Sequence, residues 1–145
     1  MATTTANISI TSDILSSGTS ISTTMTMTKA GTNTGLTETT GLAIRKFSGA
    51  IAQNDILTVA NESASTTGAN KLYVRNTGSS KVNYFRIGLG ASSTSDTPQE
   101  TEEIGRLYGG DWMLIPYLAA DANHDVMCVP STTEEMTLEY MLFHE

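Results

Sequence analysis

The sequence predicts an all-β protein: a β-sandwich of about eight to ten short strands, closer to a jelly roll than to an immunoglobulin-like sandwich. Three observations predict it. Only 16% of the residues are charged while Thr, Ser and Gly fill much of the chain, a mixture that favours pleated strands and turns over helices. Apolar residues recur with a period of two in segment after segment. Turn clusters separate these segments at roughly 8–15-residue intervals, with no helical pattern between them. The 145 residues are enough for one domain with one hydrophobic core. We expect residues 1–7 to form a flexible arm and residues 8–145 a single domain.

Two strands are expected near residues 7–15 and 20–29, separated by Ser16-Ser17-Gly18. Ile8 and Ile10 point one way in the first. Ile21, Thr23, Met25 and Met27 form a row in the second, with Ser22, Thr24, Thr26 and Thr28 facing the other side. Turn residues surround Leu36, which is expected in a loop or a very short strand. Leu42 to Ser48 follows, with Leu42 and Ile44 on one face and Arg45 and Phe47 on the other; Ile56 to Ala60 is the next strand. Lys71 to Arg75 and Val82 to Leu89 flank Asn76-Thr-Gly-Ser-Ser80, which has the composition of a wide hairpin turn, and are expected to pair. Gly90 to Glu103 is a long polar loop.

Ile104 to Tyr108 and Trp112 to Tyr117 lie on either side of a Gly109-Gly110-Asp111 turn. The run from Trp112 to Ile115 contains the only tryptophan and is stopped by Pro116, so it is expected to be the central strand, buried on both faces. Val126 to Val129 is a short apolar strand ended by Pro130. Met136 to Phe143 closes the chain with an end that is apolar on both faces.

Charge excludes some functions. The net charge is −7, and residues 1–106 balance eight basic against eight acidic residues, so residues 107–145 carry the whole excess. An acidic surface repels phosphate, which argues against nucleic-acid binding. The first seven residues lack the basic and apolar regions of a signal peptide, and no segment has the length of a membrane-spanning helix. The single cysteine, Cys128, sits among apolar neighbours and is expected to be a buried, inert thiol. A soluble protein folded in a reducing compartment is expected.

Catalytic signatures are weak. His124 and His144 lie in different regions, and no G-x-S-x-G elbow accompanies them. Asp121-Ala-Asn-His-Asp125 starts like a calcium loop, but Val126 stands where such a loop needs Gly and Thr132 where it needs Glu, so a turn made by Asx side chains is the better reading. Glu102-Glu103 and Glu134-Glu135 are adjacent in sequence, which in strands points their carboxylates to opposite faces. No catalytic, cofactor or metal residue is assigned. Tyr84, Trp112 and Tyr117 form a candidate aromatic platform for sugar or partner binding. Asn7-Ile-Ser9 and Asn61-Glu-Ser63 match the glycosylation pattern by chance.

Leu72-Tyr-Val-Arg-Asn-Thr-Gly78, Gly110-Asp-Trp-Met-Leu-Ile-Pro116 and Glu139-Tyr-Met-Leu-Phe143 resemble segments of small virion structural proteins of tailed bacteriophages, and are most similar in style to capsid decoration, or cement, proteins. The resemblance implies a non-enzymatic protein, made in the host bacterial cytoplasm, that binds the major capsid protein on the outside of the head shell as a homotrimer and stiffens it. It implies no cofactor, nucleic acid or membrane. Expected contact residues are Ile8, Ile10, Tyr84, Trp112, Tyr117, Met141 and Phe143. A tail, neck or fibre component and a carbohydrate-binding module are the rival readings.

Overall fold

The computed structural model describes residues 3–14, 18–36, 38–58, 69–90, 103–119 and 124–145. Eleven strands account for most of them: β1 (Thr5–Ser12), β2 (Thr19–Thr26), β3 (Glu38–Thr39), β4 (Ala43–Phe47), β5 (Asn54–Leu57), β6 (Asn70–Asn76), β7 (Tyr84–Leu89), β8 (Glu103–Tyr108), β9 (Trp112–Tyr117), β10 (Val126–Pro130) and β11 (Met136–His144). Every pairing is antiparallel.

Two sheets make the sandwich. One runs β5-β10-β7-β8; the other runs β4-β11-β6-β9, with β3 beside the far end of β11. Numbered along the chain from β4, the eight main strands read 1-8-3-6 in one sheet and 2-7-4-5 in the other. This is the double Greek key of a jelly roll. The expected fold class is therefore the observed one, preceded by the β1–β2 hairpin as a separate two-stranded sheet.

Period-two alternation builds the core. Phe47, Leu72, Val74, Leu138 and Leu142 of one sheet pack on Ile56, Phe85, Ile87, Leu107 and Val126 of the other. The Phe47 and Phe85 rings meet edge-on, 5.2 Å between centroids, the arrangement their quadrupoles favour. Arg45 shares the inward side with Phe47. Its guanidinium lies 5.0 Å from that ring and donates to the Asp55 carbonyl at 2.8 Å and to Asn54 Oδ1 at 3.0 Å, joining β4 to β5. On this flank of β11, opposite β6, the chain steps from β3 to β4 through Thr40 and Gly41 (φ 76°), and Thr40 exchanges hydrogen bonds with Leu142 to bridge the gap.

Three expectations are corrected. Residues 71–75 and 82–89 do not pair: β6 lies between β11 and β9, and β7 lies between β10 and β8 in the opposite sheet. The loop between them crosses the top of the sandwich and is held there by Gly109 N donating to Ser80 O at 2.8 Å. Such a crossing uses the same turn residues as a wide hairpin but has to cover the ~10 Å between stacked sheets.

Trp112–Tyr117 is not the central strand either. It is the edge strand β9, with Trp112 half exposed. Pro116 does not end it, because an edge strand tolerates a residue that cannot donate to the ladder. The strand buried on both faces is β10, all five residues of which are buried. Finally, β1 begins at Thr5, so residues 5–7, expected in a free arm, are paired with residues 24–26.

Candidate functional site

The β1–β2 hairpin is amphipathic. Its register sets Ala6 opposite Met25, Ile8 opposite Thr23 and Ile10 opposite Ile21 on one face. The other face pairs Thr5 with Thr26, Asn7 with Thr24, Ser9 with Ser22 and Thr11 with Ser20, and the Thr24 hydroxyl donates to Asn7 Oδ1 at 2.6 Å. The base of the hairpin is anchored. Met27 and Leu36 are buried, Met27 N donates to Thr4 O, and Leu36 N donates to Met27 O, both at 2.9 Å. Beyond that base the two strands pack extensively only on each other.

The hairpin base stands over the outer face of the five-stranded sheet. Inward-facing Leu72, Val74, Leu138 and Leu142 leave their neighbours pointing outward, and the ladders align these neighbours in rows. Trp112, Arg75, Glu139 and Ile44 form one row, Leu114, Tyr73 and Met141 a second, and Pro116, Lys71 and Phe143 a third. Between this face and Thr5–Ile8 runs an open groove of about 650 Å³, with Leu42 and Met27 among its walls. Its volume is that of a ligand or side-chain docking cleft.

The groove is mostly apolar with one polar cluster. The Tyr73 hydroxyl donates to Glu139 Oε1 at 2.8 Å. Burial pushes the Tyr73 phenol above its ordinary range, and the Glu139 carboxylate adds to the shift, while Arg75 opposes it. Among the described residues, Arg75 and Glu139 are the groove's only charged ones, and they cancel. Trp112 and Leu42 stand exposed at its rim, with Ile44 on the neighbouring strand.

The contact residues expected from the sequence are thus distributed unevenly. Ile8, Trp112, Met141 and Phe143 line this one groove. Ile10 lies on the same hairpin face but farther out, 51% exposed. Tyr84 faces outward from the other sheet, its ring 5.1 Å from that of Tyr108 and 4.9 Å from the Arg106 guanidinium. Tyr117 is buried in the core, with its hydroxyl donating to the His124 carbonyl at 2.8 Å. The three-residue platform of Tyr84, Trp112 and Tyr117 does not form, because alternation puts Trp112 and Tyr117 on opposite faces of β9 and the sheet crossing removes Tyr84 to the far side of the sandwich.

Leu42, Tyr73, Leu114 and Glu139 are groove residues that sequence reasoning missed. The available signal was their facing: Tyr73 alternates with Leu72 and Val74, and Glu139 with Leu138 and Tyr140.

Cys128 is fully buried, and burial pushes its thiol up to about 12. Among the described residues no group of three or more His, Cys, Asp or Glu side chains converges as a metal site would. Asp121 to Asn123 of the calcium-like segment, most of the Gly90–Glu103 loop, the second glycosylation match, Met1 and Ala2 lie outside the described residues. No helix among those described is long and apolar enough to cross a membrane. No family model, curated protein or solved structure matches the chain.

Proposed function

We propose that the chain is a non-enzymatic structural protein of a tailed-phage virion, a decoration protein that binds the major capsid protein on the outer surface of the head and stabilises the shell. The observation that carries this reading is the N-terminal hairpin. A ribbon with one polar and one apolar face, whose outer isoleucines are half exposed, is built to be covered by protein. Jelly rolls recur in capsid and lectin domains, which makes the fold compatible with the reading, although fold alone does not assign function. Many copies bound side by side add their separate contacts into large total stabilisation.

The purified protein mixed with undecorated heads tests it. Co-sedimentation with the heads and a higher temperature of head rupture are expected. Protein that stays in the supernatant overturns the head assignment, and pelleting with isolated tails instead moves the protein to the tail, neck or fibre.

A second reading is favoured by Trp112, half exposed at the rim of a groove whose floor holds the Tyr73–Glu139 hydrogen bond. An indole beside hydrogen-bonding groups suits a saccharide. A change of tryptophan emission on adding oligosaccharides, abolished in Trp112→Ala with a tyrosine-only spectrum, would support a carbohydrate-binding module.

A further inference from the structure

We infer that the outer half of the β1–β2 hairpin of one copy docks in the hairpin–sheet groove of a second copy of this chain, so that the protein assembles head to tail with itself. The inference concerns self-association and deepens the structural-protein reading given above.

The first ground is reach. The groove is lined from the hairpin by Thr5 to Ile8 only. Ile10 and its cross-strand partner Ile21 lie beyond, 51% and 49% exposed, on a paired ribbon that cannot fold back on its own base. No described residue of the same molecule buries these two side chains, which leaves them open to another molecule. The second ground is fit. Ala6 and Ile8 of the hairpin's own base form the wall of the groove across from Leu114, Met141 and Phe143, so apolar ribbon and apolar sheet face already share one cleft, and the outer half continues the ribbon's apolar face with Ile10 and Ile21. The third ground is charge. The chain carries −7, and copies repel wherever acidic surfaces meet. Residues 3–12 and 18–28 hold no charged side chain, and the groove holds only Arg75 and Glu139, which neutralise each other. Below the Asp13 tip, ribbon and groove are therefore surfaces on which two like-charged copies meet without that penalty.

Ribbon and groove are different patches. A contact between them is heterologous, and it generates a closed ring if the rotation closes and an open chain if it does not. A symmetric two-fold dimer, by contrast, would put the ribbon of one copy on the ribbon of the other.

Light scattering on the full-length protein, with no heads present, tests this. The wild type is expected above the monomer mass, at a fixed multiple of two or more if the ring closes and at a mass that grows with concentration if it does not. Ile10→Asp with Ile21→Asp removes the ribbon, and Leu42→Asp with Trp112→Ser removes the groove rim. Each variant alone is expected as a monomer, with a melting temperature above the assay temperature. An equimolar mixture of the two is expected to give a particle of two chains, since one intact ribbon and one intact groove remain. A monomeric wild type overturns the inference without recourse to any variant. A mixture that stays monomeric, or ribbon variants that keep the wild-type mass, also overturn it. Should the aspartate pair unfold the hairpin, Ile21→Ser replaces it, with loss of mass still expected. Assembly without head binding leaves this inference standing and removes the decoration reading; head binding by a wild-type monomer does the reverse.

Discussion

The side-chain amide of Asn76, at the end of β6, donates to the carbonyl of Leu107 on β8 at 2.9 Å, a bond that passes from one sheet to the other. Asn76 Oδ1 accepts from Gly78 N at 3.0 Å, and its backbone carbonyl accepts from Gly110 N at 2.9 Å. One buried residue thus holds both chain crossings at this end of the sandwich.

Asn76→Ala removes the donor to the carbonyl of buried Leu107 and the acceptor for Gly78 N. The expected loss is about 1–3 kcal/mol, read as a fall of several degrees in melting temperature. A change within error would show that water replaces the amide there.

Gly109 lies at the same crossing for a steric reason. A Cβ on it would sit 2.5 Å from the Ser80 carbonyl oxygen and 2.6 Å from Ser79 C and Ser80 N, all backbone atoms. Gly109→Ala is expected to cost about 1–3 kcal/mol, as overpacking does. Gly105→Ala, whose Cβ would meet nothing within 4 Å, is the control, expected within about 0.5 kcal/mol of wild type. Chemical denaturation of the two variants makes the comparison.

Phe85 is fully buried and forms the ring pair with Phe47. Phe85→Ala is expected to cost about 3–5 kcal/mol, and Phe85→Leu distinctly less, in the same denaturation experiment.

Cys128 gives a pH dependence with a definite sign. Its folded thiol is raised from 9.0 to about 12, with desolvation by burial as the main cause, so the folded state holds the proton more tightly than the unfolded state. The stability this contributes is complete below about pH 9 and is lost progressively as the pH rises toward 12. The stability difference between the wild type and Cys128→Ala should be flat up to about pH 9 and shift against the wild type above it. Alkylation of the native thiol at pH 8 should be far slower than in denaturant, because the thiolate is the reactive form.

In the groove, Glu139→Gln keeps a group for the Tyr73 hydroxyl but removes the carboxylate charge that opposes phenolate formation. Tyr73 should ionise at lower pH in this variant. Spectrophotometric titration compared with Tyr73→Phe identifies its contribution.

Alternation makes the strands legible in the sequence itself: Leu72 and Val74, Phe85 and Ile87, Leu138 and Leu142 each declare a core face. Pairing is not legible there, because Asn76 to Ser80 would serve a hairpin as well as a crossing between sheets, and only the contacts of Gly109 with Ser80 decide between them. Trp112 misleads for a related reason. A short apolar run between glycines and a proline fits a doubly buried strand, but Pro116 equally fits an edge, and the doubly buried strand is Val126–Pro130. As for the groove, Ile8, Trp112, Met141 and Phe143 can be named one at a time, whereas their convergence depends on β9, β6 and β11 lying side by side, which no local pattern encodes.

The position of β11 has a consequence for the chain as it is made. It is the last of the eleven strands to be synthesised, yet it lies between β6 and β4, which share no ladder without it. The roughly 60 residues from Asn76 to Met136 take about 3–12 s to translate at 5–20 residues per second. For that interval the nascent chain carries both flanking strands with their inner edges unpaired. Its exposure to misassembly is therefore set by the pace of the ribosome, and a translational pause before Met136 would lengthen it without altering a single residue.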